Sequence, residues 1–144
     1  MPLTNFTHQA LLNSLFSKTS NFGALASAPT IYVGLSSTTP TMAGANITEP
    51  STGSYAQVAT SGSDWGSATS ADPSVLSNAA AIEFPTASGD WASGADMTHF
   101  VLFDGASPQN VLGWGALIMA KPVLDGDTPS FAIGDLDVQL QSPS

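Results

Sequence analysis

"MTHFVLFDGASPQNVLGWGAL", residues 97–117, sets two apolar runs around a turn-rich middle. "THFVLFD" at 98–104 and "NVLGWGALI" at 110–118 are rich in aromatic and branched side chains, with Gly, Ala, Ser, Pro and Gln between them. Such side chains suit a pleated, half-buried surface, and Gly and Pro suit a tight reversal. The stretch therefore predicts a β-hairpin. It also contains His99 and Asp104, which raises the question of a catalytic pair. Their separation of five residues places them on opposite faces of a regular strand, because side chains alternate. Gly113 and Gly115 flank Trp114 and leave one strand face nearly bare, so another backbone or side chain can approach closely there.

The same two-residue period extends outward from the hairpin. "TIYVGLSS" at 30–37 reads as a strand that ends in a turn. "SYAQVAT" at 54–60 alternates, and "SNAAAIEFP" at 77–85 sets Ile82 and Phe84 against Glu83. "PSFAIGDLDVQLQ" at 129–141 sets Leu136, Val138 and Leu140 against Asp135, Asp137, Gln139 and Gln141. Six or more short strands with Gly, Pro, Ser and Asp between them predict an all-β fold: an antiparallel β-sandwich or partly closed barrel. One short N-terminal α-helix is expected over 6–18, where Leu11, Leu12, Leu15 and Phe16 share a face. Thr4 or Asn5 would cap it, and Lys18 would lie in its last turn. "SNFGALASAP" at 20–29 breaks the pattern, so the expected organisation is a helix and connecting arm over 1–28 and a β-sandwich domain over 29–144. The stretch 37–53 is a loop longer than ordinary connections, which marks it as functional, packed on a neighbour, or mobile.

Composition narrows the function classes. Of 144 residues, 42% are hydrophobic and only 9% charged, where ordinary soluble domains carry roughly 25% charged residues. Ser, Thr, Ala and Gly fill the polar positions, giving a neutral, hydroxyl-rich surface suited to packing against neighbours. Eleven acids stand against Lys18 and Lys121, for a formal charge of −9. That balance argues against nucleic-acid binding and against docking to an anionic membrane, since both need cations. No cysteine is present, which excludes disulfides and thiolate metal sites. No apolar run reaches the ~18 residues of a membrane-spanning helix. "MPLTNFTHQALLNSLF" at 1–16 has neither a basic leader nor a long apolar stretch, so no ordinary signal peptide is expected.

The search for chemistry finds no catalytic, cofactor-binding or metal residues. His8 and His99 lie far apart, with no ligand spacing around either. His99 is expected to be a strand histidine with a hydrogen-bond partner. No G-x-S-x-G elbow accompanies the many serines. Asp125 and Asp127 in "LDGDTPS" are near each other, but Asp-Gly-Asp before Thr-Pro is turn composition, and the rest of a calcium loop is missing. "SGSDWGSA" at 61–68 echoes "ASGDWASGA" at 87–95. Trp65 and Trp91 are therefore either sugar-stacking platforms or core-covering side chains beside turns.

Several segments together resemble a group of small virion proteins of tailed bacteriophages, of the tail-fibre-like or head-decoration kind. They are "LLNSLF" at 11–16, "PTIYVGLSSTTPT" at 29–41, "GSYAQVA" at 53–59, "IEFPTASGDW" at 82–91, "MTHFVLFD" at 97–104, "VLGWGAL" at 111–117 and "DGDTPSFAIGDLDVQL" at 125–140. Their order and spacing cover nearly the whole chain. Similar sequences tend to carry a basic residue where this one has Gln57. The resemblance implies a virion structural protein rather than an enzyme, with His99 in a framework strand and no cofactor. The expected role is capsid decoration: a homo-oligomer, for example a trimer, cementing major capsid protein or other virion proteins, with segments 1–20 and 37–53 as the contact elements. The alternative is a tail-tip or tail-fibre component that touches the host surface, with Trp65 and Trp91 as sugar platforms.

Overall fold

The computed structural model describes residues 5–16 and 28–140. The expected cap at Thr4, the cation at Lys18 and the break at Gly23 lie outside the described residues. The described chain runs α1 (Asn5–Leu15), β1 (Ile31–Ser36), β2 (Val58–Thr60), β3 (Ser74–Ser77), β4 (Ile82–Glu83), β5 (Asp96–Phe103), β6 (Val111–Pro122), β7 (Ser130–Phe131) and β8 (Asp137–Leu140). Every ladder whose register is resolved is antiparallel, no closed barrel forms among the described residues, and the helix is single and short. The protein is of the sandwich-like all-β class, as the strand periodicity predicts. It divides into two compact units, residues 1–30, 61–82 and 131–144 in one and residues 31–60 and 83–130 in the other.

The first unit pairs β3 with β8, in register from Ser74↔Leu140 to Ser77↔Asp137. Leu76 and Leu136 are fully buried here, with Leu12, Phe16, Trp65 and Ile82. Helix α1 seats Leu12, Asn13 and Phe16, whereas Leu11, expected on the buried face, is 42% exposed. The reason is polar. Asn13 Oδ1 accepts the Ala68 N–H at 2.8 Å and Gln9 Nε2 donates to the Ala68 carbonyl at 2.9 Å. Positions 9, 12, 13 and 16 share one helical face, and Leu11 is turned away from it. The ring of Phe16 meets Trp65 edge-on with centroids 4.5 Å apart. The helix thus packs on its own unit.

Asn78 ties this unit together. It is 2% exposed and bridges to Trp65. Its Nδ2 donates to the carbonyls of Ala80 (2.8 Å) and Ala132 (2.9 Å), and its Oδ1 accepts the Leu136 N–H at 2.9 Å. Its backbone N–H donates to Leu136 O at 3.1 Å, and its carbonyl accepts from Gly134 at 3.0 Å. A buried carboxamide costs free energy unless its groups are paired; here one side chain fastens its own segment, 78–80, to the turn at 132–136.

The second unit is built on a four-stranded sheet in the order β2-β1-β5-β6. Strand β5 pairs with β1 from Tyr32↔Phe103 to Ser36↔His99, and with β6 from Phe103↔Val111 to Asp96↔Pro122. The hairpin read from 97–117 is therefore present, and β6 continues past it. Ile31, Val33, Leu35, Val101, Leu102 and Phe103 are buried along the sheet. A second cluster joins Tyr55, Phe84 and Trp91: Trp91 meets Tyr55 edge-on at 5.0 Å and Phe84 at 6.2 Å. Gly53 lies against this cluster in the left-handed region, at φ +70°. Ser54 follows at φ 63°. Two successive left-handed residues cannot continue a strand, so the strand expected over 54–60 shortens to Val58–Thr60.

The loop 37–53 is tied down by its own polar groups. The Ser36 hydroxyl, fully buried, donates to Thr38 O at 2.8 Å and accepts from Thr48 N at 3.0 Å. Asn46 Nδ2 donates to Thr39 O, and Thr38 Oγ1 to Asn46 O, both at 2.8 Å.

Candidate functional site

His99 and Asp104 do not form a working pair. Thr98 Oγ1 lies 2.8 Å from His99 Nδ1, and the imidazole meets Trp114 edge-on at 5.8 Å. His99 is thus the partnered strand histidine that its setting predicts. The Asp104 carboxylate is taken by the hairpin turn: Oδ1 accepts the Asn110 N–H at 2.7 Å and Oδ2 the Asn110 side-chain amide at 2.8 Å. These bonds favour the charged form and hold the Asp104 carboxyl below its ordinary range.

The Asp127 carboxylate likewise serves a turn, whereas Asp125 is held there through its backbone. Asp127 Oδ2 accepts Leu124 N–H at 3.0 Å, and Asp125 N–H donates to Asp90 Oδ1 at 3.0 Å. Among the described residues no group of three His, Cys, Asp or Glu is placed to hold a metal ion. Trp65 and Trp91 are 1% and 0% exposed. Their reading as sugar platforms is therefore corrected. Each covers a core beside a turn, because a fully desolvated indole stabilises more by burial than an exposed one does. Trp91 also donates its Nε1–H to Gly53 O at 2.8 Å.

One polar network could not be read from sequence spacing. Tyr55 O–H donates to Glu49 Oε1 and accepts Leu35 N–H at 3.0 Å. Gln57 Nε2 donates to Glu49 Oε1 at 3.1 Å and Oε2 at 2.9 Å. Where similar sequences are expected to place a cation, this chain meets the carboxylate with a neutral amide. Gly34 leaves room for the carboxylate: a Cβ there would collide with Glu49 Oε1. Burial, reinforced by the Glu49 carboxylate, holds the Tyr55 phenol far above its ordinary value. A phenol raised in the fold contributes stability that is complete below its unfolded value of about 10 and is lost as pH rises above it. In a Tyr32→Phe variant, ultraviolet titration should find Tyr55 still protonated at about pH 11. Adding Glu49→Gln should bring its ionisation to lower pH; an unchanged curve would contradict this account of the network.

The hairpin's far strand exposes what the rest of the sheet hides. In β6, Leu112 is 38% exposed, Trp114 36%, Met119 73%, and Ile118 as exposed as in an open chain. His99 pairs with Ala116 and Met97 with Lys121, so Leu117–Ala120 bulge outward opposite Thr98 alone. Gly115 has the expected bare face, and the chain fills it itself: a Cβ there would lie 2.7 Å from the ring of Phe100, its ladder partner. Gly113 has open space beside it.

A buried aromatic core, the Asp104 and Asp127 carboxylates held in turns and an apolar outer strand describe a protein suited to making contacts. A family model described as podophage GP4 fiber I protein gp80 matches residues 2–139. The chain belongs to this fibre protein family. No curated protein matches the chain. Membership in the podophage fibre family makes it a bacteriophage virion structural protein of tail-fibre type. The match also shifts the weight from capsid decoration to the tail-fibre alternative.

Proposed function

We propose that the protein is a structural subunit of a phage tail fibre that acts by fitting against other virion proteins and catalyses nothing. The observation that carries this reading is the fibre-family match over residues 2–139. The residues support it in kind. The histidine and aspartates that suggest catalysis are committed to framework bonds, and large apolar side chains stand open on β6. A low-charge surface suits many modest contacts repeated by symmetry, so that assembly supplies the total affinity. Copies of the chain are expected to associate with one another as well as with neighbouring proteins. Host contact, if this subunit makes it, falls to surfaces other than Trp65 and Trp91.

Electron microscopy of phage particles with the chain fused to a compact label tests the reading. Density on fibres at the tail is the expected result. Label spread over the head would restore decoration, and particles without label would reject both.

A further inference from the structure

The outer edge of β6 is unpaired among the described residues. The sheet order is β2-β1-β5-β6, so β6 has β5 on one side only. It is 12 residues long, and a strand edge presents a row of backbone donors and acceptors ready to pair with another strand. Folded proteins blunt such edges with charge, proline or bulges. Here the bulge at 117–120, Lys121 and Pro122 fall at the C-terminal end and a second register shift falls at Leu112, which leaves Gly113–Ala116 as the regular, uncharged centre of the edge.

We infer that this edge pairs with the β6 edge of a second copy, antiparallel about a two-fold axis near Trp114. The inference rests on reading the chain as a fibre subunit and names the surface through which its copies join. Three observations select a second copy as the occupant. Charge is the first. A chain of formal charge −9 repels its copies, and residues 105–120 contain no ionisable side chain, so two such strands approach without like-charge contact. Polarity along the strand is the second. A carboxylate, Asp104, is bonded across the turn to Asn110 at the start of β6, and a cation, Lys121, lies near its other end. An antiparallel partner reverses that order, bringing each Lys121 toward the 104–110 turn of the other copy, twice by symmetry. Steric pattern is the third. With Trp114 opposite its counterpart, Gly113 faces Gly115 of the second copy on either side, so the central tryptophan pair is flanked by residues too small to clash.

The area is in the right range. The exposed parts of Leu112, Trp114, Ile118 and Met119 amount to roughly 500 Å² of apolar surface, and the strand edge adds to it, against about 800 Å² per partner in a stable interface. Pairing of exposed sheet edges is an established mode of recognition, in which main-chain bonds give affinity and side chains give register.

The chain has no cysteine, so a single one introduced by Trp114→Cys can cross-link only to its own counterpart. Under mild oxidation this variant should form a covalent dimer at least ten times faster than Ser70→Cys, an exposed position in the other unit. Sedimentation of the full chain should show self-association weakened at least tenfold by Ile118→Glu, which disturbs no buried contact, and also by Lys121→Glu. Equal cross-linking at 114 and 70, a wild-type chain that stays monomeric, or an edge that cross-links only to a different virion protein would each overturn the inference. A monomeric chain that still appears on fibres would sink the pairing and keep the fibre role. A chain that dimerises through β6 yet is absent from particles would do the reverse.

Discussion

Replacing Asn78 with leucine should destabilise the protein by about 3 kcal/mol, among the larger effects a single substitution produces. Leucine keeps asparagine's branching pattern but is larger, so no cavity forms and some overpacking adds to the loss of polar partners. The substitution strands the Leu136 N–H, which is buried, and the carbonyls of Ala80 and Ala132. Each buried group left without a partner costs about 1–3 kcal/mol, reduced wherever water can reach it. Asn78→Asp should also destabilise, since a carboxylate would then face two carbonyl oxygens. Urea unfolding measures the total, and hydrogen exchange at Leu136 should show the local loss. A change below about 1 kcal/mol would mean that water repairs the site.

Gly53→Ala should cost a similar amount, about 3 kcal/mol, for a different reason. The new Cβ would lie 2.5 Å from Gly89 O and 2.7 Å from Trp91 Cδ1, at a residue held at φ +70°. The left-handed backbone alone costs a non-glycine residue about 1–2 kcal/mol. The remainder comes from displacing Trp91, which contacts Tyr55 and Phe84 and donates its indole N–H to the Gly53 carbonyl. Gly126→Ala provides the comparison: φ is +86° there, but nothing lies within 4 Å. It should cost the backbone share alone. Equal losses at the two positions would show that the close approach at Gly53 contributes nothing.

Much of the strand architecture is legible in the sequence, because side-chain alternation reports burial directly. Ile82 and Phe84 are buried and Glu83 is exposed, and Leu136 is buried between exposed Asp135 and Asp137. The 97–117 hairpin follows from the same signal. What is not legible depends on groups distant in sequence. Leu11 is exposed because Asn13 and Gln9 bond to Ala68, and the run at 54–60 breaks because Gly53 and Ser54 turn left-handed beside Trp91. Strand β3, only four residues long and directly after Pro73, is too short to show a period. The candidate contact surface is the hardest part. Leu112, Trp114 and Ile118 look like core residues by composition, and it is the position of β6 at the edge of its sheet, with the bulge at 117–120, that goes with their exposure.

The loop that follows β1 has one further consequence. From Ser37 to Thr48 it contains no ionisable side chain, and its ties run between hydroxyls, a carboxamide and backbone groups. Dissolved ions screen attractions between charges over a Debye length of about 10 Å at 0.1 M. They have no such hold on bonds between neutral partners. The conformation of this segment should therefore be the same in dilute buffer as in brine.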